Sequence, residues 1–318
     1  MKPEVLVVGS YVQDLTFFTK RFPRTGETTV GDFRTGSGGK GFNQAVAARR
    51  AGARTVFVGA VGHDAFAVKA RKFALAERLH THLVEKPRVL TGAAGITVDE
   101  AGQNQIVVSL GANQHLRPRD VPAPLLGAAR VVVCQGESDY TTVAQVLRTA
   151  RRNGATTVLN PAPMRPDFDP ALLRHTDILI PNETEFVSLA HQLRKADSRT
   201  LTADSLARLP ADKFHALCRS FGVPVVIVTL GARGCFVSEP DVYLRITAHT
   251  VEAIDTTGAG DAFVGGFAAG LVKFKNNVFE AAHYANAVAA ISVTHPGTAD
   301  SMPTSREILR FLRRRDHA

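Results

Sequence analysis

Short, uninterrupted apolar runs alternate with longer amphipathic stretches along the first third of the chain. They are Val5 to Gly9, a helical pattern over Asn43 to Arg50, Thr55 to Val61, and a helical pattern over Phe66 to Leu79. The rhythm resumes at Arg130 to Gln135, Thr157 to Leu159, Asp177 to Ile180 and Val225 to Thr229, each followed by a segment of helical period. A strand covered by helices on both faces reads as a continuous apolar run, because both alternating sets of side chains are buried. The pattern therefore predicts βαβ units and an α/β fold with a parallel sheet.

Two regions break this rhythm. Residues 11 to 36 are rich in Thr, Phe and Gly, and within residues 93 to 110 Ile96-Thr97-Val98 and Gln105-Ile106-Val107-Val108 flank Asp99-Glu100-Ala101-Gly102. The second reads as a β-hairpin with acidic residues and glycine at its turn. Together they predict a small antiparallel sheet outside the main body. Arg194 to Leu209 is polar and is expected to be a mobile surface loop. No internal repeat or interdomain linker is visible, so residues 1–318 are read as one domain carrying that small sheet.

Composition narrows the class. Hydrophobic residues make up 45% and charged residues 21% of the chain, as in ordinary soluble globular proteins. No apolar run reaches the roughly 18 residues of a membrane span. The first apolar strand is too short for a signal-peptide core and has no cleavage site behind it, so a cytoplasmic location is expected. Cys134, Cys218 and Cys235 are odd in number and widely spaced, which suits neither a disulfide framework nor a zinc site. They are expected to be buried thiols. The net charge of +9 suits a nucleic-acid binder or a basic protein that handles phosphorylated ligands. Its Lys and Arg are dispersed, apart from Arg49-Arg50, Arg151-Arg152 and Arg313-Arg314-Arg315, and no aromatic residues interleave with them. Those clusters read as solvated helix ends, with no nucleic-acid partner.

Candidate chemistry begins at Asp255-Thr256-Thr257-Gly258-Ala259-Gly260-Asp261, which runs into an apolar stretch of small residues, Ala262 to Leu271. The glycines thus precede a helix, where free N–H groups and the helix dipole attract an anion. Asp261 would repel a bound anion, but it makes sense as a base beside a phosphoryl group. Taken alone, the motif equally suits a first-turn acid on the helix dipole. A second glycine-rich turn, Gly36-Ser37-Gly38-Gly39-Lys40-Gly41-Phe42-Asn43-Gln44-Ala45, also leads into a helix. It is not a phosphate loop of the Walker type, because Gly41 stands where a magnesium-binding Ser or Thr belongs. Gly9-Ser10-Tyr11 lacks the dinucleotide fingerprint, which disfavours a nicotinamide-dependent dehydrogenase.

The two motifs together resemble those of the ribokinase (PfkB) family of carbohydrate kinases. The resemblance extends through Gly26-Glu27-Thr28, Gly102-Gln103-Asn104, Gly111-Ala112-Asn113, Asn160-Pro161-Ala162-Pro163, Pro181-Asn182-Glu183-Thr184-Glu185 and Thr229-Leu230-Gly231. It implies a Rossmann-like three-layer α/β/α ribokinase-like fold with a small β-sheet lid that closes over the sugar and often forms a homodimer contact. It further implies ATP-dependent transfer to the 5-hydroxyl of a pentose. Asp261 would be the base, and the backbone of Thr257, Gly258, Ala259 and Gly260 the anion hole. Asn182 and Glu185 would organise Mg²⁺, usually through water. Thr229, Gly231, Gly234 and Gly260 would line the nucleotide, with Asn286 near adenine. Asp255 would bind a monovalent cation, usually K⁺, with backbone oxygens of Thr257, Ser292, His295 and Gly297 and the hydroxyl of Ser301. His283 and the His295 side chain are read as structural.

On the same resemblance Asp14, Gly39, Lys40, Asn43 and Glu137 surround the sugar. A carboxylate, an ammonium and an amide can pair with vicinal hydroxyls. Many relatives carry asparagine where this chain has Val12. A hydrocarbon cannot hydrogen-bond a hydroxyl, so ribose is expected as the main substrate, with 2-deoxyribose accepted more readily than usual. Gly136 and Phe42 are smaller departures, and Phe42 is expected to reshape the pocket wall. The alternatives are a nucleoside kinase of the same superfamily and a non-catalytic sugar-binding regulator.

Overall fold

The computed structural model describes residues 2–195 and 200–315. In chain order the strands are β1 (Val5–Val8), β2 (Val12–Phe18), β3 (Asp32–Gly38), β4 (Thr55–Val61), β5 (His80–Glu85), β6 (Gly92–Val98), β7 (Asn104–Ser109), β8 (Val131–Gln135), β9 (Thr156–Asn160), β10 (Ile178–Leu179), β11 (Val225–Thr229), β12 (Cys235–Ser238) and β13 (Tyr243–Ile246). A nine-stranded sheet has the order β13-β12-β11-β10-β9-β8-β1-β4-β5. It is parallel from β11 through β5 and antiparallel where β12 and β13 extend it.

The apolar strands are continuous because each feeds two cores. Val5 and Val7 of β1 pack with the helices Lys40–Arg50, Ala259–Lys273 and Val278–Ser292, whereas Leu6 and Val8 face the opposite layer with Leu147, Phe186 and Phe214. Successive side chains on a strand point to opposite faces, so one run serves both layers. The result is a three-layer α/β/α arrangement. All three cysteines are buried and free.

Helix Lys40–Arg50 starts three residues before the predicted Asn43, and Ala65–Ala76 replaces Phe66 to Leu79. Of the expected strand Asp177 to Ile180, only Ile178–Leu179 pairs as a strand. The predicted loop Arg194 to Leu209 contains the helix Ala203–Arg208, with Leu206 buried. Thr202 caps that helix through its side chain, a signal hidden by the polar composition around it. Residues 196–199 of that expectation lie outside the described residues.

The lid is a four-stranded sheet, β3-β2-β6-β7. The hairpin of β6 and β7 forms as predicted, and Asp99 Oδ1 accepts from the N–H groups of Ala101 and Gln103 at its turn. The sheet is mixed, however, not antiparallel: β2 and β6 pair in parallel, Val12 opposite Gly92 and Phe18 opposite Val98. Each excursion leaves the main body in the same direction, so their first strands run alongside one another. Local alternation cannot reveal that relative direction.

Candidate active site

β1 is flanked by β4 on one side and β8 on the other, so the chain reverses its direction of sheet-building there. The carboxyl ends of strands around such a point leave a crevice between diverging loops. Gly9-Ser10 follow β1, Glu137 follows β8 and Asn182 follows β10, all at that end.

Gly258 occupies the N-cap of helix Ala259–Lys273 with φ of 79°, a left-handed conformation that a side chain would strain. Asp261 sits in the first turn, buried. Its Oδ2 accepts from Asn43 Nδ2 at 2.9 Å and its Oδ1 from Gln44 Nε2 at 2.9 Å. Gly265 brings these helices together: a Cβ there would lie 2.4 Å from the Gln44 carbonyl oxygen. Close backbone contact one turn below thus seats the acid of one helix on the two amides of the other. The Asn43 Oδ1 is buried without a hydrogen-bond partner among the described residues, an acceptor suited to a ligand hydroxyl.

Gly39, with φ of 91°, ends the turn from the lid into helix Lys40–Arg50; a Cβ there would meet the Val12 nitrogen at 2.7 Å. Glu137 Oε2 accepts from Ser10 Oγ at 2.5 Å and from the Lys40 backbone N–H at 2.9 Å. The Lys40 ammonium is pulled down by burial, but Asp261, Glu137 and Glu185 outweigh that effect and hold it above its ordinary pKa. It stays charged among three carboxylates.

Asp14 projects from β2, and Gly38 on the paired strand makes room for it: a Cβ there would lie 2.3 Å from Asp14 Oδ2. Burial pushes Asp14 up to about 6; the Thr298 hydroxyl opposes this, and the charges of Glu137 and Asp261 add to it. Val12 lies two residues earlier on the same strand and is buried.

A cleft of about 160 Å³ is lined by Lys40, Asn182, Glu185, Thr229, Gly258, Ala259, Gly260 and Asp261, among others. The glycine-rich helix start, the ammonium and the Asn-x-x-Glu segment predicted from sequence therefore meet in one place. Asn182 and Glu185 also form a capping box: Asn182 Oδ1 accepts from Glu185 N–H at 2.8 Å, and Glu185 Oε2 from Asn182 N–H at 3.0 Å. Glu185 is buried, not the exposed first-turn acid its position alone allows. Burial pushes its carboxyl upward, opposed by the Asn182 N–H and by Lys40.

Asp255 ties two loops together, its Oδ1 accepting from Thr257 N–H and its Oδ2 from Gly297 N–H, both at 2.9 Å. No ion pair neutralises Asp255 among the described residues. Ser301 Oγ donates to the Thr298 carbonyl at 2.8 Å, and Ser292 is buried at the end of its helix. The side chains of Asp255 and Ser301 offer oxygen, the donor type a hard cation takes.

Gly231, Gly234 and Asn286 do not line that cleft. Asn286 is buried, with Nδ2 3.5 Å from the Ile246 carbonyl. His283 is exposed on its helix. His295 is exposed as well, and its Nδ1 lies 3.1 Å from Thr294 Oγ1. Phe42 does not shape the pocket wall: it is fully buried, edge-on to Tyr11 and Phe57 at centroid distances of 5.1 and 5.4 Å. Gly136 is required by packing, since a Cβ would meet the Pro163 carbonyl at 2.7 Å. Sequence reasoning missed Gln44 and Thr298; a second amide beside Asn43, just ahead of the apolar run Ala45 to Ala48, was the available signal for the first.

Comparison with known proteins places this geometry. The model of the pfkB family carbohydrate kinases matches residues 2–305. A ribokinase of Mus musculus is 38% identical over 312 residues, covering 96% of this chain and 93% of that protein. A deoxyribokinase of Salmonella typhimurium is 33% identical over 319 residues, covering 97% and 98%. The structure of Arabidopsis thaliana ribokinase complexed with ribose and ATP superposes with a TM-score of 0.85 at 29% identity, covering 98% of this chain and 99% of that one. With the family model spanning nearly the whole chain and its two glycine-rich motifs meeting in one cleft, the chain belongs to the pfkB family of carbohydrate kinases.

Proposed function

We propose that the chain transfers the γ-phosphoryl group of ATP to the 5-hydroxyl of D-ribose, giving D-ribose 5-phosphate and ADP. The observation that carries this reading is Asp261, fixed by two amides in the first turn of a helix whose glycine-rich start lines the cleft. The hydroxyl loses its proton to Asp261 as its oxygen attacks the γ-phosphorus in line. The N–H groups of Gly258, Ala259 and Gly260 meet the charge spread over the transferred phosphoryl oxygens, and Lys40 adds a full positive charge beside them. Positioning and electrostatics are what phosphoryl transfer chiefly requires.

Asp14, Asn43 and Glu137 supply acceptors for the sugar hydroxyls, with Gly39 allowing close approach. Thr229 lines the cleft and would flank the nucleotide; Gly231, Gly234 and Asn286, which lie outside it, would meet only the part of ATP that extends past the cleft. Glu185 and Asn182 would hold Mg²⁺, which neutralises phosphate charge when bound. Asp255, with Thr257, Ser292, His295, Gly297 and Ser301, would hold K⁺ behind the anion hole. Val12 beside Asp14 supports appreciable acceptance of 2-deoxyribose.

The lid exposes Phe17, Phe33 and Val107 by 46%, 52% and 79%, an apolar surface that supports a homodimer through the lid. Three buried free thiols accord with a reducing, cytoplasmic setting. An ADP-release assay comparing ribose, 2-deoxyribose, adenosine and fructose 6-phosphate tests the substrate reading. Ribose is expected to give the highest kcat/KM, and a preference for adenosine or fructose 6-phosphate would overturn it.

A further inference from the structure

Asn43 reaches one oxygen of Asp261; the other belongs to Gln44, which no sugar, nucleotide or ion role accounts for. Gln44 is fully buried. Its Nε2 donates to Asp261 Oδ1 at 2.9 Å and to Asn160 Oδ1 at 3.1 Å, while its Oε1 accepts from Gln135 Nε2 at 2.7 Å. Asn160 is itself fixed, its Nδ2 donating to the Ile180 carbonyl at 2.7 Å. These contacts permit one orientation of the Gln44 amide. Reversed, its oxygen would face the Asp261 carboxylate and the Asn160 oxygen, and its NH₂ would oppose that of Gln135. Gln135 reaches this position past two glycines, since a Cβ on Gly9 or Gly41 would lie 1.9 or 2.9 Å from its Oε1.

A carboxylate turns easily about its last torsion, which has a broad, roughly two-fold profile. A base must nevertheless aim a lone pair at one hydroxyl. One N–H donor on each oxygen fixes that rotation and leaves lone pairs on both. We propose that Gln44 is a positioning residue for phosphoryl transfer: it fixes the rotation of the Asp261 carboxylate, and Gln135 acts through it by setting the direction of its amide. The inference rests on Asp261 being the base.

The test measures kcat, the KM values for ribose and ATP, and Tm for wild type, Gln44→Met, Gln135→Met, the double variant and Asp261→Asn. Gln44→Met keeps the side-chain length without the amide and is expected to lower kcat about 10- to 100-fold, with both KM values within about threefold of wild type. Gln135→Met is expected to lower kcat less. The double variant should match Gln44→Met within about twofold, because residues acting in series are not additive. A kcat for Gln44→Met within about twofold of wild type, or multiplying losses in the double variant, would overturn the inference. If Gln44→Met does not fold, Gln135→Met carries the test: unchanged kcat overturns the proposal, and a fall in kcat at unchanged KM supports it. An inactive Asp261→Asn beside a fully active Gln44→Met defeats this inference alone. A fully active Asp261→Asn defeats the reading of the base and the inference with it.

Discussion

The Thr298 hydroxyl lies 3.1 Å from Asp14 Oδ2 and 3.0 Å from the Ser37 carbonyl, joining the loop after helix Val278–Ser292 to the paired strands β2 and β3 of the lid, 284 residues from Asp14 along the chain. One side chain on the main body thus holds the lid's carboxylate and its neighbouring strand together. Thr298→Val keeps the shape and removes the donor. It is expected to raise the ribose KM about fivefold, for a loss of about 1 kcal/mol, with the ATP KM unchanged. Equal effects on both substrates in steady-state kinetics would contradict the assignment.

Asp14 also sets a pH dependence. Its folded value of about 6 stands above its ordinary 3.8, chiefly through burial. The folded state therefore binds more protons than the unfolded one between those values, and stability falls as pH rises from about 4 to about 6, with the full cost present above. Asp14→Asn removes that cost. Relative to wild type it should gain up to about 3 kcal/mol above pH 6 and nothing below pH 4, while losing sugar affinity. Urea unfolding at pH 4 and pH 8 checks this; parallel pH profiles for the two proteins would contradict it.

Val12 precedes Asp14 by two residues on β2, so both side chains leave the strand on one face. Val12→Asn restores a hydrogen-bonding group beside the sugar carboxylate. The ratio of kcat/KM for ribose over 2-deoxyribose should rise about tenfold, the equivalent of about 1.4 kcal/mol. An unchanged ratio would move the choice of sugar away from this position.

Asp255 holds the backbone N–H groups of Thr257 and Gly297, so a cation bound beside it would order the glycine-rich turn. Turnover in K⁺ buffer is expected to exceed that in Na⁺ buffer at least about threefold, through the field and order that the ion supplies. Asp255→Asn should erase that difference. Equal wild-type rates in the two salts would remove K⁺ from the account.

Much of this was legible before any coordinates. The apolar runs of β1, β4, β8 and β11 marked a sheet covered on both faces because each run serves two cores. The residues from Gly258 to Asp261 marked a helix start, and Gly258 does stand at the N-cap of helix Ala259–Lys273, because a small-residue apolar run follows the glycines. The parallel pairing of β2 with β6 was not legible, since strand direction depends on where each excursion leaves the body. Phe42 was misread because an aromatic residue beside a glycine-rich turn looks like a pocket wall until its neighbours Tyr11 and Phe57 are in place. Thr298 carries no local signal at all: its partner is 284 residues away. Asn182 and Glu185 were read from the sequence only as organisers of a metal; the capping box that they also form was not read, although both residues do line the cleft.

The central claim is that Asp261 takes the proton from the sugar hydroxyl. Its most direct test is the ribose-dependent kcat of Asp261→Asn, which keeps the size of the side chain and removes the base. The account predicts a fall of about 10³-fold, within the usual range for loss of a general base, with the KM values for ribose and ATP changed by no more than about threefold. Turnover within about tenfold of wild type would contradict it.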